Sequence, residues 1–410
     1  MEVTIIGCGG TGSAILWNLI NLEKIHQINI IDYNKKQLSI VKKFLATSKI
    51  KHNHIKFFHV DLKSQGQIKK ISKKSKIILN ASFPIHNEFI LKTCLANKAH
   101  YLDLASDPFK YPDTPESTTF DTLYKYNEKF LNNNLLAISN AGLSPGLTDL
   151  LVKHITNNKD IKEIDLIKIS LAEKIDSKEI VASWSPHILM LEFLSPPTIL
   201  NNGKIIEINS EKNSEIHQFP SPLGPIKIYP FSGHPELVTI PKFINKKINR
   251  IEIRGGMNIG NLNLEQITLE AIRKRTCVSQ TIKNENIFSW ISKSFVSPAN
   301  FLEAQRKGII ISEIGGMEIE VYSKNELNNL KYSIVCIIDL ETSQHLLPLA
   351  NVSTYLVSVF PSVLIELLTE DKIKERGVIC AGALSETKEI LTRVEKKGLN
   401  LIQKIEVQNQ

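Results

Sequence analysis

Arginine is missing from a long opening stretch: the first one among the 410 residues is Arg250. Lysine supplies the positive charge before it, and 50 Lys and Arg against 42 Asp and Glu leave the chain at a net +8. A 2′-phosphate is usually gripped by arginine, so a phosphorylated dinucleotide is disfavoured in the N-terminal part. Cysteine is scarce as well. Cys8, Cys94, Cys277, Cys336 and Cys380 are odd in number, widely spaced and form no C-x-x-C pair. This argues against a disulfide framework or a structural zinc site and points to a reducing, cytoplasmic setting. No His/Cys cluster marks a metal site. Aromatics are few, at 7%, and none interleave the lysine runs Lys69-Lys70 and Lys73-Lys74. A stacking surface for nucleic acid is therefore not expected. No apolar run approaches the ~18 residues of a membrane span, and no membrane partner is expected. The longest runs, such as 332–340, are strand-sized and interrupted by polar residues. The length favours two domains over one core.

What is present begins at once. Glu2-Val3-Thr4-Ile5-Ile6 reads as a buried strand running into Gly7-Cys8-Gly9-Gly10-Thr11-Gly12, then a helical stretch over 13–22. A second apolar run, 28–31, ends at Asp32, twenty positions after the last glycine. Strand, glycine turn, helix, strand and acid in this order form a dinucleotide fingerprint. Gly7 permits the tight turn, Gly9 lets backbone approach a pyrophosphate, and Gly12 lets helix pack on strand. Gly10 and Thr11 lie in the turn just before the helix, whose exposed N–H groups and dipole favour phosphates. Asp32 can accept the hydroxyl protons of the adenosine ribose, and it would repel a 2′-phosphate. NAD is the expected cofactor, with NADP the alternative because Lys35 and Lys36 follow closely. A cleavable leader is not expected, because its removal would destroy the fingerprint.

The alternation continues. Helices are expected over 34–48, 61–71, 86–97, 121–132 and 148–155, and strands over 55–58, 77–79, 99–104 and 135–138. A Pro, Ser, Thr and Asp-rich surface loop is expected over 107–119. This pattern predicts a parallel, doubly wound sheet. Asp61, with Leu62 beside it, stands where an acid can meet the adenine amino group, or else caps the following helix. Ala81 and Ser82 follow the fourth strand, where small residues let the nicotinamide ribose approach. After about Ile161 the character changes to alternating runs at 164–171, 204–208 and 226–229, which predict antiparallel strands. Helical pattern returns over 346–368.

Several segments together resemble the saccharopine dehydrogenase family. They are the opening loop, Tyr101-Leu102-Asp103, Ala141-Gly142-Leu143-Ser144-Pro145-Gly146, Ser183-Trp184-Ser185-Pro186, Asn202-Gly203, Phe219-Pro220, the Glu-Leu-x-Thr-x-Pro run at 236–241, and Gly377-Val378. The resemblance implies an α/β fold. An N-terminal Rossmann sheet (1–140) is completed by a returning C-terminal segment (346–410), with a sheet-rich α+β catalytic and dimerisation domain (141–345) inserted. It also implies nicotinamide chemistry at a carbon bonded to nitrogen, in a homodimer acting on a small amino-acid or polyamine-type substrate. The leading expectation is an NAD(P)-dependent oxidoreductase of the lysine or saccharopine type. The alternatives are a homospermidine-synthase-like aminoalkyl transferase and a carboxynorspermidine-dehydrogenase-like enzyme.

Candidate substrate-side residues follow from place and chemistry. Asp103, at a strand end facing the crevice, can orient or deprotonate a substrate ammonium, or cap the next turn. Gly142, Ser144 and Pro145 border the substrate if the turn's N–H groups are open to a carboxylate. Trp184 is a candidate substrate contact. Arg254 can bind a carboxylate bidentately, unless it is held in a structural ion pair.

Overall fold

The computed structural model describes residues 1–48, 52–107, 118–159, 161–278, 287–324 and 329–408. Most of the loop expected over 107–119 lies outside the described residues. The chain forms two compact units. The first gathers Met1–His154, Val238–Ile244 and Tyr355–Lys397, and the second Ile155–Leu237, Asn245–Thr354 and Gly398–Gln410.

The first unit is built on a seven-stranded parallel sheet. Its order is Gly377–Ile379, Leu136–Ile138, His100–Asp103, Ile77–Asn80, Glu2–Ile6, Gln27–Asp32 and Ile55–His59. The first six strands in sequence run in the doubly wound order, and the strand from near the C-terminus extends it by pairing in parallel with Leu136–Ile138. Central strands are buried on both faces, so they read as near-continuous β-branched runs: Val3, Ile5, Ile28, Ile30 and Ile78 have no exposed surface. Polar side chains inside this core are paired. Thr4 Oγ1 lies 2.6 Å from Ser75 Oγ, and Asn29 Nδ2 donates to Glu2 Oε1 at 2.7 Å.

Local departures from the expected elements have local causes. The helix expected over 61–71 is confined to Gln65–Ile71, because Asp61 Oδ1 accepts from Lys63 N–H at 2.8 Å and makes a tight turn first. The helix expected over 121–132 breaks into Phe120–Tyr124 and Asn127–Asn132. At the break, Tyr126 donates its hydroxyl to Glu88 Oε1 and Asn127 Oδ1 accepts from Val378 N–H, which ties this segment to the seventh strand.

The second unit carries the larger sheet. Its main path runs Glu215–Gln218, Pro225–Pro230, Arg250–Ile259, Glu163–Ser177, Ile310–Lys324, Asn329–Asp339 and Ile402–Gln408. Most of these pairings are antiparallel, as the alternation predicts. Glu163–Ser177 and Arg250–Ile259 pair in parallel, so the sheet is mixed. The final strand belongs here: residues 402–408 pair with Asn329–Asp339 rather than returning to the first sheet.

One sequence expectation needs correcting. The Val352–Thr369 helix is 18 residues long with a mean hydropathy of 1.6, long and apolar enough for a membrane span by composition. In the fold 78% of it is buried, with Val359, Phe360, Val363 and Leu364 fully enclosed, so protein atoms cover its apolar surface.

Candidate active site

The cofactor candidates cluster at the carboxyl ends of the first sheet's strands. Neighbouring strands Glu2–Ile6 and Ile77–Asn80 bracket the point where the strand order reverses, the place where such sheets bind ligands. Gly7 has φ +101°, and a Cβ on it would stand 2.6 Å from Ala81 O. A Cβ on Gly12 would stand 2.0 Å from Gly7 O, so only glycine lets the Gly10–Leu19 helix sit on the loop. Gly9 is different: its Cβ side is open, with no atom within 4 Å. Gly9 caps the helix without a side-chain hydrogen bond, and no acid stands in the first turn. The first-turn N–H groups of Gly10, Thr11 and Gly12 therefore face an approach that an anion can use.

Asp32 is half-buried and tied to this loop. Its Oδ2 accepts from Cys8 N–H at 2.6 Å and its Oδ1 from Asn34 N–H at 2.7 Å. Each oxygen keeps a lone pair for a ribose hydroxyl. Burial, with Asp32 adding to it, pushes the Cys8 thiol well above its usual range, so Cys8 is an inert filler. Asp61 is exposed and Leu62 half-buried, and Val60 N–H donates to Asp32 O at 3.0 Å, which places them beside the acid. Ser82 donates from N and Oγ to Asn80 Oδ1 at 2.9 and 2.5 Å, and Ala81 N–H donates to Ile6 O at 2.7 Å. An open glycine, uncapped N–H groups and an oriented carboxylate suit a pyrophosphate and a ribose, so the residues present fit a nicotinamide dinucleotide.

Asp103 ends the His100–Asp103 strand but has no exposed surface. Its Oδ1 accepts from Asn140 N–H and its Oδ2 from the Tyr101 hydroxyl, both at 2.8 Å, and its carbonyl accepts from Ala141 N–H. Burial pushes its carboxyl up to about 7, and the Asn140 and Tyr101 donors work against that rise. Asp103 thus holds the turn that leads into Gly142, which corrects its expected role as a base open to the crevice. Asn140, at φ +60°, accepts from Ser106 N–H and leaves its buried Nδ2 without a partner.

In the following turn Gly142 and Pro145 are buried while Leu143 and Ser144 are half-buried. The turn's N–H groups are not all open as expected: Gly146 N–H donates to Asp149 Oδ2 at 3.0 Å, and Asp149 Oδ1 accepts from the Thr239 hydroxyl. Gly142 and Gly146 sit where a Cβ would meet backbone oxygens at 2.7 and 2.5 Å, so both glycines are sterically required.

The second unit supplies a separate polar cluster. His234 is 4% exposed; its Nδ1 lies 3.3 Å from Glu236 Oε2, and its buried Nε2 has no partner. Burial opposes charging of this ring, but Glu236 and Glu192 outweigh it and raise its pKa. Glu192, on the Pro186–Leu194 helix, is pushed up to about 7 by burial. Trp184 precedes that helix, half-buried, between Ser183, whose hydroxyl donates to Glu173 Oε2 at 2.7 Å, and Ser185, which caps the helix by accepting from Ile188 N–H.

Arg254 is a correction. It is 7% exposed, with Nε and Nη2 on Glu252 Oε2 at 2.8 and 2.6 Å and Nη1 on Asn213 O at 2.5 Å. All three nitrogens have partners inside the chain, so the structural ion pair holds and a substrate carboxylate is not its ligand. Glu192 and Asp149 were not among the residues the sequence marked, and Glu236 was marked only as the start of the run at 236–241. Their only local signal was an acid set among apolar neighbours, which spacing alone does not tie to a site.

Comparison with known proteins places this fold and cradle. A family profile described as the saccharopine dehydrogenase NADP binding domain matches residues 3–138, and one described as the saccharopine dehydrogenase C-terminal domain matches 142–399. The chain belongs to the saccharopine dehydrogenase family. Carboxynorspermidine synthase of Vibrio cholerae is 25% identical over 214 residues, 48% of this chain and 50% of the relative. Carboxyaminopropylagmatine dehydrogenase of Synechocystis is 21% identical over 169 residues, 40% of this chain and 41% of the relative. The matched stretches thus span half or less of these curated relatives. Apo saccharopine dehydrogenase (L-Glu forming) of Saccharomyces cerevisiae shares the fold at a TM-score of 0.69 and 10% identity, over 99% of both chains. Homospermidine synthase of Legionella pneumophila, solved with NAD, does so at 0.69 and 13%, over 98% of this chain and 91% of that one.

Proposed function

We propose that the chain is an NAD(P)-dependent oxidoreductase that makes or breaks the C–N bond of an amino-acid-derived amine. The dinucleotide cradle from Gly7 to Asp32, within a family profile for that cofactor, is the observation that carries this reading. NAD is the preferred cofactor, because Asp32, held by Cys8 and Asn34 N–H groups, would repel a 2′-phosphate, and no arginine precedes Arg250. The substrate reading moves from lysine or saccharopine toward a carboxylated polyamine, the kind of compound that both curated relatives' names print. The working species is a cytoplasmic homodimer. Cys8, Cys94, Cys336 and Cys380 are free and buried, which suits a reducing compartment.

The cofactor, when bound, supplies the hydride acceptor or donor. The chain's own residues bind and orient it and move protons at the amine. The first-turn N–H groups of the Gly10–Leu19 helix hold the pyrophosphate, and Asp32 takes the ribose. Asp103 positions the Gly142–Gly146 turn, with Ser144 as its polar side chain toward substrate. His234, raised in pKa by its two glutamates, is suited to hold a proton within the second unit's own polar cluster.

The test is NADH or NADPH consumption with a primary diamine and an amino-acid semialdehyde, run beside lysine and saccharopine oxidation with NAD and NADP. The expected result is one NADH consumed per secondary amine formed, with kcat/KM higher for NADH than for NADPH. Amine exchange with no net change in NADH selects the homospermidine-synthase-like alternative. No turnover with any pair overturns the reading.

A further inference from the structure

The Ile402–Gln408 strand lies at one end of the larger sheet's main path and pairs with Asn329–Asp339 along one side. Its residues from Ile402 to Val407 are all exposed, with Ile402 at 47%, Ile405 at 67% and Val407 at 59%. A sheet edge of this kind offers a row of N–H and C=O groups to another strand, and proteins usually blunt it with proline, bulges or charge. This edge has no proline, and its ladder to the neighbouring strand runs without a register shift. Three exposed aliphatic side chains here are more than a solvent-facing strand requires.

We infer that this edge is the seam between two copies of the chain, joined by antiparallel pairing of the two Ile402–Gln408 strands about a two-fold axis at Ile405. The inference rests on the homodimer reading above and names its interface. The sequence Ile402-Gln403-Lys404-Ile405-Glu406-Val407-Gln408 selects the register. With the axis at Ile405, Lys404 faces the second copy's Glu406, Glu406 faces the second copy's Lys404, and the two Ile405 side chains meet. An axis at Lys404 or at Glu406 sets like charges directly opposite each other, which is unfavourable in cross-strand pairs. Two-fold symmetry makes the patch self-complementary, as an isologous interface demands. The opposite edge, Glu215–Gln218, is a poorer candidate. It is four residues long, and its charged side chains are held closer within the chain, Glu215 to Lys168 at 3.2 Å and His217 to Glu318 at 2.8 Å, than Glu406 is to Lys331 at 3.6 Å.

Sedimentation of the full chain over a concentration series tests the seam. The unaltered protein is expected to dimerise. Lys404→Glu or Glu406→Lys alone turns both symmetry-related attractive pairs into repulsive ones and should raise the dimer dissociation constant about tenfold or more. The double swap Lys404→Glu with Glu406→Lys restores opposite charges and should return the dissociation constant to near its original value. Rescue also separates the seam from loss of the in-chain pair between Lys331 and Glu406 at 3.6 Å, which the swap does not repair. A monomer at every concentration overturns the proposal, as does a dimer indifferent to the single reversals. In the latter case the homodimer stands and its interface lies elsewhere, and turnover of the variants is read separately.

Discussion

At the scale of single residues, the glycine loop separates positions that hold its shape from those that leave room for a ligand. Gly7 and Gly12 are enclosed by backbone, and Gly9 opens to space. Backbone carbonyls do not yield as a flexible side chain does, so Gly12→Ala, with its Cβ 2.0 Å from Gly7 O, must push the helix off the loop. We expect that variant to melt several degrees lower and to lose the upward shift in melting temperature that NADH gives the unaltered protein. Thermal shift with and without NADH measures both effects. An unchanged NADH shift would show that the phosphates do not rest on this turn. These roles were readable beforehand because a glycine fingerprint encodes geometry in residue type and spacing. Arg254 and Asp103 were less readable. A charge in sequence does not reveal that Glu252 and Asn213 occupy its donors, or that a strand-end carboxylate is turned inward onto Asn140 and Tyr101.

At the scale of elements, the long strands of the larger sheet carry a feature that hydrophobic alternation hides. Glu173 on Glu163–Ser177 and Glu313 on Ile310–Lys324 are 7% and 1% exposed, and the two strands pair with Glu173 opposite Gly315. Gly315 makes room: a Cβ there would stand 3.0 Å from Glu173 Cγ and 3.1 Å from Val352 Cγ1. Glu313 Oε2 accepts from Val352 N–H at the start of the Val352–Thr369 helix, and Ser183 donates to Glu173. Burial pushes Glu173 up to about 7. Burial, then the neighbouring Glu173, lifts Glu313 well above the usual carboxylate range. Both groups therefore keep protons in the folded chain that the unfolded chain has released. Where the folded state binds more protons, stability falls as pH rises. The contribution is fully present below the ordinary glutamate range and is lost as pH climbs through about 7. We expect the melting temperature to decline between about pH 5 and pH 8 at constant ionic strength. Glu173→Gln, which keeps the acceptor for Ser183 and cannot ionise, should flatten that decline. Parallel slopes for the two proteins would remove the pair from the account. In sequence the two glutamates stand 140 positions apart by their numbers, so only the strand register brings them together. The existence and type of the Rossmann strands were legible because their apolar runs are short, β-branched and evenly separated by helices. The break at Lys125 and Tyr126 was not, because it answers to Glu88 and Val378, which are distant in the chain.

At the scale of the whole molecule, the first unit is assembled from three separate pieces of chain, and the later two contribute to its core. Strand Gly377–Ile379 lies beside Leu136–Ile138, with Val378 and Cys380 in the same apolar cluster as Tyr101, Leu123 and Phe130. Phe243 packs edge-on against Phe120 at 5.7 Å between ring centroids, and Thr239 donates to the fully buried Asp149. A fragment ending at residue 154 keeps every residue of the dinucleotide cradle but exposes that apolar wall, removes the Thr239 donor to Asp149 and leaves one edge of Leu136–Ile138 unpaired. Buried apolar surface is the main favourable term in folding, and net stability is a small remainder of large opposing terms. The fragment should therefore lack a cooperative melt and show no NADH-induced stabilisation. Joining 355–397 to it through a flexible linker should restore part of both, because the seventh strand and the Val378 contacts return. Circular dichroism melts with and without NADH compare the two. A cooperative, NADH-responsive fragment 1–154 would show that the cradle folds without its distant pieces, and that the returning strand serves some purpose other than completing this core.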